Sequence, residues 1–395
     1  MTTSMRLLAL AAVMGMVAVA CSNAGSSSPG AGGTTSSSAA PASIGPGEGA
    51  LSLIAWAGYT ESPWVKPFEQ DTGCKVTVKY GLDSSDMVNL MKQGGGTIYD
   101  GVSASGDASN RLIAGGDVAP IDISMFPEYS NVMPSLQSPP HNTVDGVHYG
   151  VPWVWGPNFL LFNTDKVKPA PDSWAPVFDA NSPYAGTVTA YNSPIYIADA
   201  ALYLKAAQPD LGITDPYELT SDQLDAAVSL LKTQYGLIGK YWSAYTDEIK
   251  GFDSGDMTIG TAWPVNQQYI EIDNKVPVLS VIPKEGVTGW ADTWMMSSHT
   301  PHPNCMLKWM QYTLQPDVQT QVAEFYGATP SNTQSCPQLN KDLGSAAKIY
   351  HCGDDAFLST IALWKTPQTD CGNGSTDCMD YNAWSEKWLE IQAGG

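Results

Sequence analysis

The residues of this chain best suited to chemistry are aromatic and polar side chains placed just after short apolar runs. Trp56-Ala57-Gly58-Tyr59 follows the run Leu51–Ala55, and Ser105-Gly106-Asp107 follows Tyr99–Ala104. Where strands and helices alternate, ligands settle beyond the carboxyl ends of the strands, so both stretches are candidates to face a ligand. The 13 Trp and 18 Tyr exceed what a plain core demands, and some are expected to line a cleft. Such a set suits a cation. A desolvated ammonium needs an anion and hydrogen-bond acceptors in place of its water, and aromatic faces attract it further. Patterns for bond-breaking chemistry are missing: there is no Gly-x-Ser-x-Gly, no His-Glu-x-x-His and no Gly-x-x-x-x-Gly-Lys. The histidines are His141, His148, His299, His302 and His351, and the closest pair, His299 and His302, lies three apart beside prolines. Neither an enzyme activity nor a metal or other cofactor is expected.

Charge narrows the partners. The net charge of −20 argues against nucleic acid, whose phosphates need Lys and Arg. It suits attraction of cationic solutes, and it equally suits solubility outside a cell. Seven cysteines are present. Leaving aside Cys21, the even set Cys74, Cys305, Cys336, Cys352, Cys371 and Cys378 argues for three disulfides in an exported chain. Cys371 and Cys378 flank the turn-forming Gly372-Asn373-Gly374-Ser375 and are expected to pair. Cys336 with Cys352 and Cys74 with Cys305 follow by proximity and elimination, with the other pairings left open.

Export is written in the first residues. Arg6 precedes the uncharged apolar run Leu7–Ala20, which is short for a bilayer span and reads as a signal peptide. Ala18-Val19-Ala20-Cys21 resembles a bacterial lipobox, which implies cleavage before Cys21 and lipid on its sulfur. Residues 21–47, rich in Ser, Gly, Ala, Pro and Thr, cannot bury enough apolar surface to fold and read as a tether. The folded body, from residue 48 to 395, is long for one core and suits two lobes. No second apolar stretch reaches transmembrane length.

The elements that must position the aromatic stretches are legible in outline. Leu51–Ala55, Lys75–Tyr80 and Tyr99–Ala104 read as strands, with helices at Pro63–Gln70 and Ser85–Gln93 between them, which implies a parallel α/β sheet. A second α/β unit has a strand at Thr187–Ala190 and a helix at Ile197–Ala207. A capping box at Thr220 and Gln223 opens another helix, strands follow at Met257–Trp263 and Val278–Ile282, and helices at Asn304–Gln315 and Pro316–Tyr326. The stretch Gln334–Gly395 shows no clear pattern; Trp384 and Trp388 fit a helix core.

At this level of detail the chain resembles the polyamine (spermidine/putrescine) substrate-binding proteins of bacterial ABC importers. The resemblance rests on matches in order along most of the body: Trp56-Ala57-Gly58-Tyr59, Phe68–Gly73, Tyr99-Asp100 with Ser105, Val151–Gly156, Trp263, Pro283–Gly286 with Trp290-Ala291-Asp292, and Gln315–Val318 with Gln321–Glu324. It implies a two-lobe type II periplasmic-binding fold with a hinge of crossing strands. The expected lobes are 48–155 plus 291–330, and 156–290 plus 331–395. It implies closure on a solute, recognition of the closed form by permease subunits, and a monomer held at the outer face of the cell membrane by lipid on Cys21. Asp292 is the expected amine partner, with Trp290 and Trp263 as aromatic walls, Trp56 and Tyr59 closing the other side, Ser105 as a hydrogen-bonding group and Asp107 as a further carboxylate; Trp155 is expected to pack in the hinge. Tyr191-Asn192-Ser193-Pro194 stands where the family carries acidic residues, and Ala328 where it carries a tyrosine. Tyr191 and Asn192 can hydrogen-bond there but bring no charge. A quaternary amine, an amino acid-like compound or a sugar therefore remains an alternative ligand, and a secreted sensor or partner-binding protein an alternative role.

Overall fold

Strand and helix alternate from the start of the body, and the alternation builds the first sheet. The structure, a computed structural model, describes residues 41–272 and 276–394; the signal and lipobox expected around Cys21 lie outside the described residues. β1 (Ala50–Ala55) pairs in parallel with β2 (Lys75–Tyr80) and will pair likewise with the third strand. The connecting helix α1 (Ser62–Thr72) buries Trp64 and Phe68, four residues apart on one face, and ends at Gly73. The positive φ of Gly73, 74°, lets its N–H close on the Glu69 carbonyl. β2 is an edge strand with its lysines outward, which discourages further pairing. α2 (Ser84–Met91) starts at Asp83, whose carboxylate accepts the Asp86 N–H.

β3 (Gly101–Ala104) begins two residues later than the sequence reading predicts. Asp100 turns its carboxylate onto the Ser52 N–H and the Thr300 hydroxyl, both at 2.6 Å, and the ladder starts only beyond it. α3 (Gly106–Ala114) leaves directly from Ser105. A short α4 (Pro134–Gln137) and the hairpin of β4 (Thr143–Val144) and β5 (Val147–His148) lead into β6 (Val151–Pro157), buried throughout.

At Asn158 the chain passes to a second sheet. It comprises β7 (Phe159–Asn163), then, after α5 (Ala175–Phe178), β8 (Val188–Tyr191), α6 (Ile197–Ala207), α7 (Ser221–Tyr235), β9 (Ile238–Trp242), α8 (Tyr245–Ser254), β10 (Ile259–Ala262), α9 (Pro264–Ile272) and β11 (Val278–Val281). The strand order is β11-β7-β10-β8-β9. The capping box expected at Thr220 and Gln223 opens α7. β12 (Thr288–Met296) carries the chain back, antiparallel to both β6 and β3. The first sheet thus runs β6-β12-β3-β1-β2 across these strands.

The two crossings lie side by side. Trp290 of β12 pairs with Gly156 of β6, and the Asn158 N–H donates to the Thr288 carbonyl at 2.8 Å. Gly156 has to be glycine: a Cβ there would stand 2.6 Å from Trp290 Cζ2. Trp155 is fully buried against Phe357.

α10 (Pro303–Thr313) and α11 (Pro316–Tyr326) cover the first sheet. β13 (Thr329–Pro330) pairs with β6, and Asn332 bridges to Val132. After α12 (Cys336–Leu343) and α13 (Asp355–Leu358), β14 (Ala362–Leu363) pairs with the first residues of β12. Residues 331–363 therefore run beside the first sheet and the crossings before α14 (Tyr381–Gln392) packs on α7 with Trp384 and Trp388 buried. The three disulfides are Cys74–Cys305, Cys336–Cys352 and Cys371–Cys378. Among the described residues no helix is long and apolar enough to cross a membrane, and no cluster of three or more His, Cys, Asp or Glu is placed to hold a metal ion.

Candidate ligand-binding site

Strand ends from both sheets meet around one cavity of about 520 Å3, its open mouth included. The loop after β1 contributes Trp56 and Tyr59, and the end of β3 contributes Ser105. β8 and its continuation bring Tyr191 and Asn192, the end of β10 brings Trp263, and the returning strand β12 brings Trp290 and Asp292. Eight of the nine residues singled out from the sequence therefore line a common space. The ninth, Asp107, does not line it. It is buried one layer back in the first turn of α3, accepting a 2.9 Å hydrogen bond from Ser84, which does line the cavity. Burial raises the Asp107 carboxyl to about 6, against the opposing pull of the Ser84 hydroxyl and Arg111.

Asp292 anchors one end. It is buried, with the Tyr59 hydroxyl donating to Oδ2 at 2.6 Å and the Ser105 hydroxyl to Oδ1 at 2.5 Å. Burial raises its carboxyl to about 7, and the negative charge of Asp107 adds to the rise, while the two hydroxyl donors act against it. No basic side chain of the described residues pairs with it. Tyr59 is held by edge-on contacts with Trp153 at 4.7 Å and Tyr326 at 4.8 Å. Tyr326, at the end of α11, lines the cavity too. Its approach depends on Gly58, where a Cβ would lie 2.5 Å from the Tyr326 ring and where φ is +96°. An aromatic from this end of α11 thus reaches the site, although Ala328 carries none.

Aromatic rings make the rest of the wall. Trp263 stands edge-on to Trp242 at 4.7 Å and to Trp290 at 6.2 Å; Tyr191 lies 5.5 Å from Trp364 and 5.9 Å from Trp242. Hydrogen bonds set several of these rings. The Trp263 indole N–H donates to Asn158 Oδ1 at 3.0 Å, and the Tyr191 hydroxyl donates to Asp199 Oδ2 at 2.5 Å. Asn192, exposed at the mouth, donates to Ser243 at 3.3 Å and accepts from the Trp388 indole at 3.2 Å.

Besides Leu82 and Ser193, neighbours of other lining residues, sequence reasoning missed Asp83, Ser84, Trp242, Ser243, Tyr326 and Trp364. Asp83 and Ser84 follow strand β2, Trp242 ends β9 and Ser243 follows it, so the strand-end rule that selected Trp56 would have found them. β9 itself escaped notice because Ile238-Gly239-Lys240-Tyr241-Trp242 shows no clean alternation. Tyr326 and Trp364 come from a helix end and an irregular segment, and no local pattern marks them. A box of aromatic faces around one buried, cation-free carboxylate can take a desolvated cation and pack an aliphatic chain.

Comparison with known proteins agrees with this architecture. The family of bacterial extracellular solute-binding proteins matches residues 63–347. The putrescine-binding periplasmic protein of Escherichia coli is 24% identical over 335 residues, covering 81% of this chain and 88% of that protein. The spermidine/putrescine-binding periplasmic protein of the same organism is 24% identical over 331 residues, covering 82% and 88%. Among solved structures, a putative spermidine/putrescine ABC transporter protein from Listeria monocytogenes superposes with a TM-score of 0.72 at 19% identity, over 87% of this chain and 99% of that one. The spermidine/putrescine substrate-binding protein of Streptococcus pneumoniae gives 0.67 at 17% identity, over 87% and 99%.

Proposed function

The chain belongs to the bacterial extracellular solute-binding protein family, and on that premise we propose that it captures a small cationic amine between its two sheets and presents the closed complex to the permease of an ABC importer. The observation that carries the ligand class is Asp292. A carboxylate buried with two hydroxyl donors and no protein cation is incomplete by itself, and an ammonium completes it. A charge-assisted hydrogen bond contributes about 1.5–3 kcal/mol, and a desolvated aromatic face adds about 2 kcal/mol. Trp56, Tyr59, Ser105, Trp263, Trp290, Tyr191 and Asn192 form the surrounding shell, with Asp107 reinforcing the negative potential from behind. That the curated relatives are named for putrescine and spermidine supports the same class.

Closure is a rotation of the two sheets about the paired crossings at Gly156–Asn158 and Thr288–Trp290, as in hinge-bending capture. The chain acts outside the cytoplasm as a monomer, tethered through lipid on Cys21. A thermal-shift screen of putrescine, spermidine, quaternary amines, amino acids and sugars tests the reading. A ligand at a hundredfold excess over its Kd stabilises the folded state by about 2.7 kcal/mol. Stabilisation by amines that disappears in Asp292→Asn supports the proposal; stabilisation by a sugar alone overturns the amine while leaving the importer role.

A further inference from the structure

The segment between β14 and α14 touches both halves of the molecule. β14 ends at Leu363, and the next three residues have three different partners. Trp364 lines the cavity, 5.5 Å from Tyr191. Lys365 Nζ pairs on the second-sheet side with Asp215 at 2.8 Å and with Glu218. The buried Thr366 hydroxyl donates at 2.7 Å to the backbone carbonyl of Asp107, in α3 on the first-sheet side. α3 comes so close here that a Cβ at Gly106 would stand 1.8 Å from the Trp364 carbonyl oxygen.

The far end of the segment repeats the pattern. Cys378 bridges to Thr220, and the Met379 N–H donates to the Leu219 carbonyl at 2.9 Å, which fixes that end beside α7. Tyr381, buried at the head of α14, reaches the other way. The Arg111 guanidinium of α3 lies 4.2 Å over its ring, and its hydroxyl is 3.3 Å from the hydroxyl of Ser85 in α2. Arg111 itself donates to Ser85 at 3.3 Å. The Tyr381 N–H closes on the Pro367 carbonyl at 3.1 Å, and Cys371–Cys378 ties the loop between them. Residues 364–381 are thus one tied unit, anchored beside α7 and gripping α2 and α3 at two places. A rotation that parts α2 and α3 from α7 has to break these grips or tear the segment from its anchor. We propose that residues 364–381 are a clasp that holds the two sheets in the closed arrangement and sets how slowly a captured solute escapes, with Thr366 and Tyr381 as its grips. Both are positioning residues, since neither lines the cavity; Trp364, which does, joins the clasp to the ligand wall. The inference rests on the hinge-bending reading of closure and gives that motion a restraint.

Stopped-flow tryptophan fluorescence with spermidine tests it. Observed rates plotted against concentration give association from the slope and dissociation from the intercept. Thr366→Val keeps the shape and removes the donor; Tyr381→Leu removes the ring beneath Arg111. Each is expected to raise the dissociation rate about fivefold without lowering the association rate, whereas a merely loosened fold would lower the association rate as well. Tyr381→Phe, which keeps the ring, is expected to lie closer to wild type than Tyr381→Leu. Thr366→Val, the milder change, decides if Tyr381→Leu does not fold. An unchanged dissociation rate in both variants, or an association rate that falls as dissociation rises, overturns the clasp. Failure of spermidine to bind the wild-type chain overturns the amine reading instead, and is seen before any variant is made. The clasp is then judged without solute, by small-angle X-ray scattering. The radius of gyration is expected to be larger in the Thr366→Val/Tyr381→Leu double variant than in the wild type, and equal radii overturn the clasp.

Discussion

The side chain that decides most is Asp292, and its surroundings set a pH dependence. Tyr59, Ser105 and Tyr326 face it and Asp107 stands behind, so its carboxyl, ordinarily near 3.8, is raised to about 7 by burial. A raised carboxyl pKa means the empty folded protein holds a proton that the unfolded chain releases near its ordinary value. An ammonium requires the ionised form, so binding below about pH 7 has to expel that proton. Titration at pH 8, 7 and 6 is expected to show affinity nearly constant above 7 and falling towards tenfold per unit below it; affinity that rises on acidification contradicts this. Glu248 makes a contrasting case. It is fully buried in α8, neither carboxyl oxygen has a partner among the described residues, and burial raises it well above the ordinary value. Wild-type stability is therefore lost as pH rises from about 4.5 towards the raised value. Glu248→Gln removes that slope and is expected to stabilise the protein by about 1–3 kcal/mol in urea unfolding at pH 8, with a smaller gain at pH 5.

At the scale of elements, the crossings and the long-range disulfide carry testable weight. Gly156→Ala places a methyl against the Trp290 ring, and the ring has to shift inside the cavity it lines. Ligand affinity is expected to fall at least tenfold with the circular dichroism spectrum unchanged; unchanged affinity would show that Trp290 is not a wall of the binding site. Cys74–Cys305 closes a loop of 231 residues and Cys371–Cys378 one of 7. The loop-entropy relation gives about 5 kcal/mol for the first and about 2 kcal/mol for the second, so the Cys74→Ser/Cys305→Ser pair is expected to lower Tm well beyond the Cys371→Ser/Cys378→Ser pair. The elements also show what a sequence discloses. Runs such as Leu51–Ala55 and Lys75–Tyr80 advertised their strands, and the strand-end rule brought Trp56 and Ser105 to the cavity. Asp199, which accepts from the cavity-lining Tyr191, stayed hidden because Ile197–Ala207 reads as an apolar helix and its second partner, Thr288, lies 89 residues away. Residues 344–363 resisted because they fold as a 3-10 segment, a single helical turn and a two-residue strand, too short for any period to emerge.

For the whole molecule, charge and architecture work together. The net charge of −20 draws cations toward the cavity mouth over long range, and salt screens that attraction. Association rates for a polyamine are expected to fall as ionic strength rises from 0.01 to 0.5 M, by stopped-flow tryptophan fluorescence. Dissociation rates, governed by the buried contacts, are expected to change far less. Two sheets joined by paired crossings supply aromatic walls to a common cavity.

The most direct test of the central claim is calorimetric titration of the wild-type chain and of Asp292→Asn with spermidine and putrescine at pH 8. The account predicts saturable binding to the wild type and a loss of about 1.5–3 kcal/mol, or roughly 10- to 150-fold in Kd, in the variant. Binding of equal strength in both proteins, or binding of a neutral sugar in place of either amine, would contradict it.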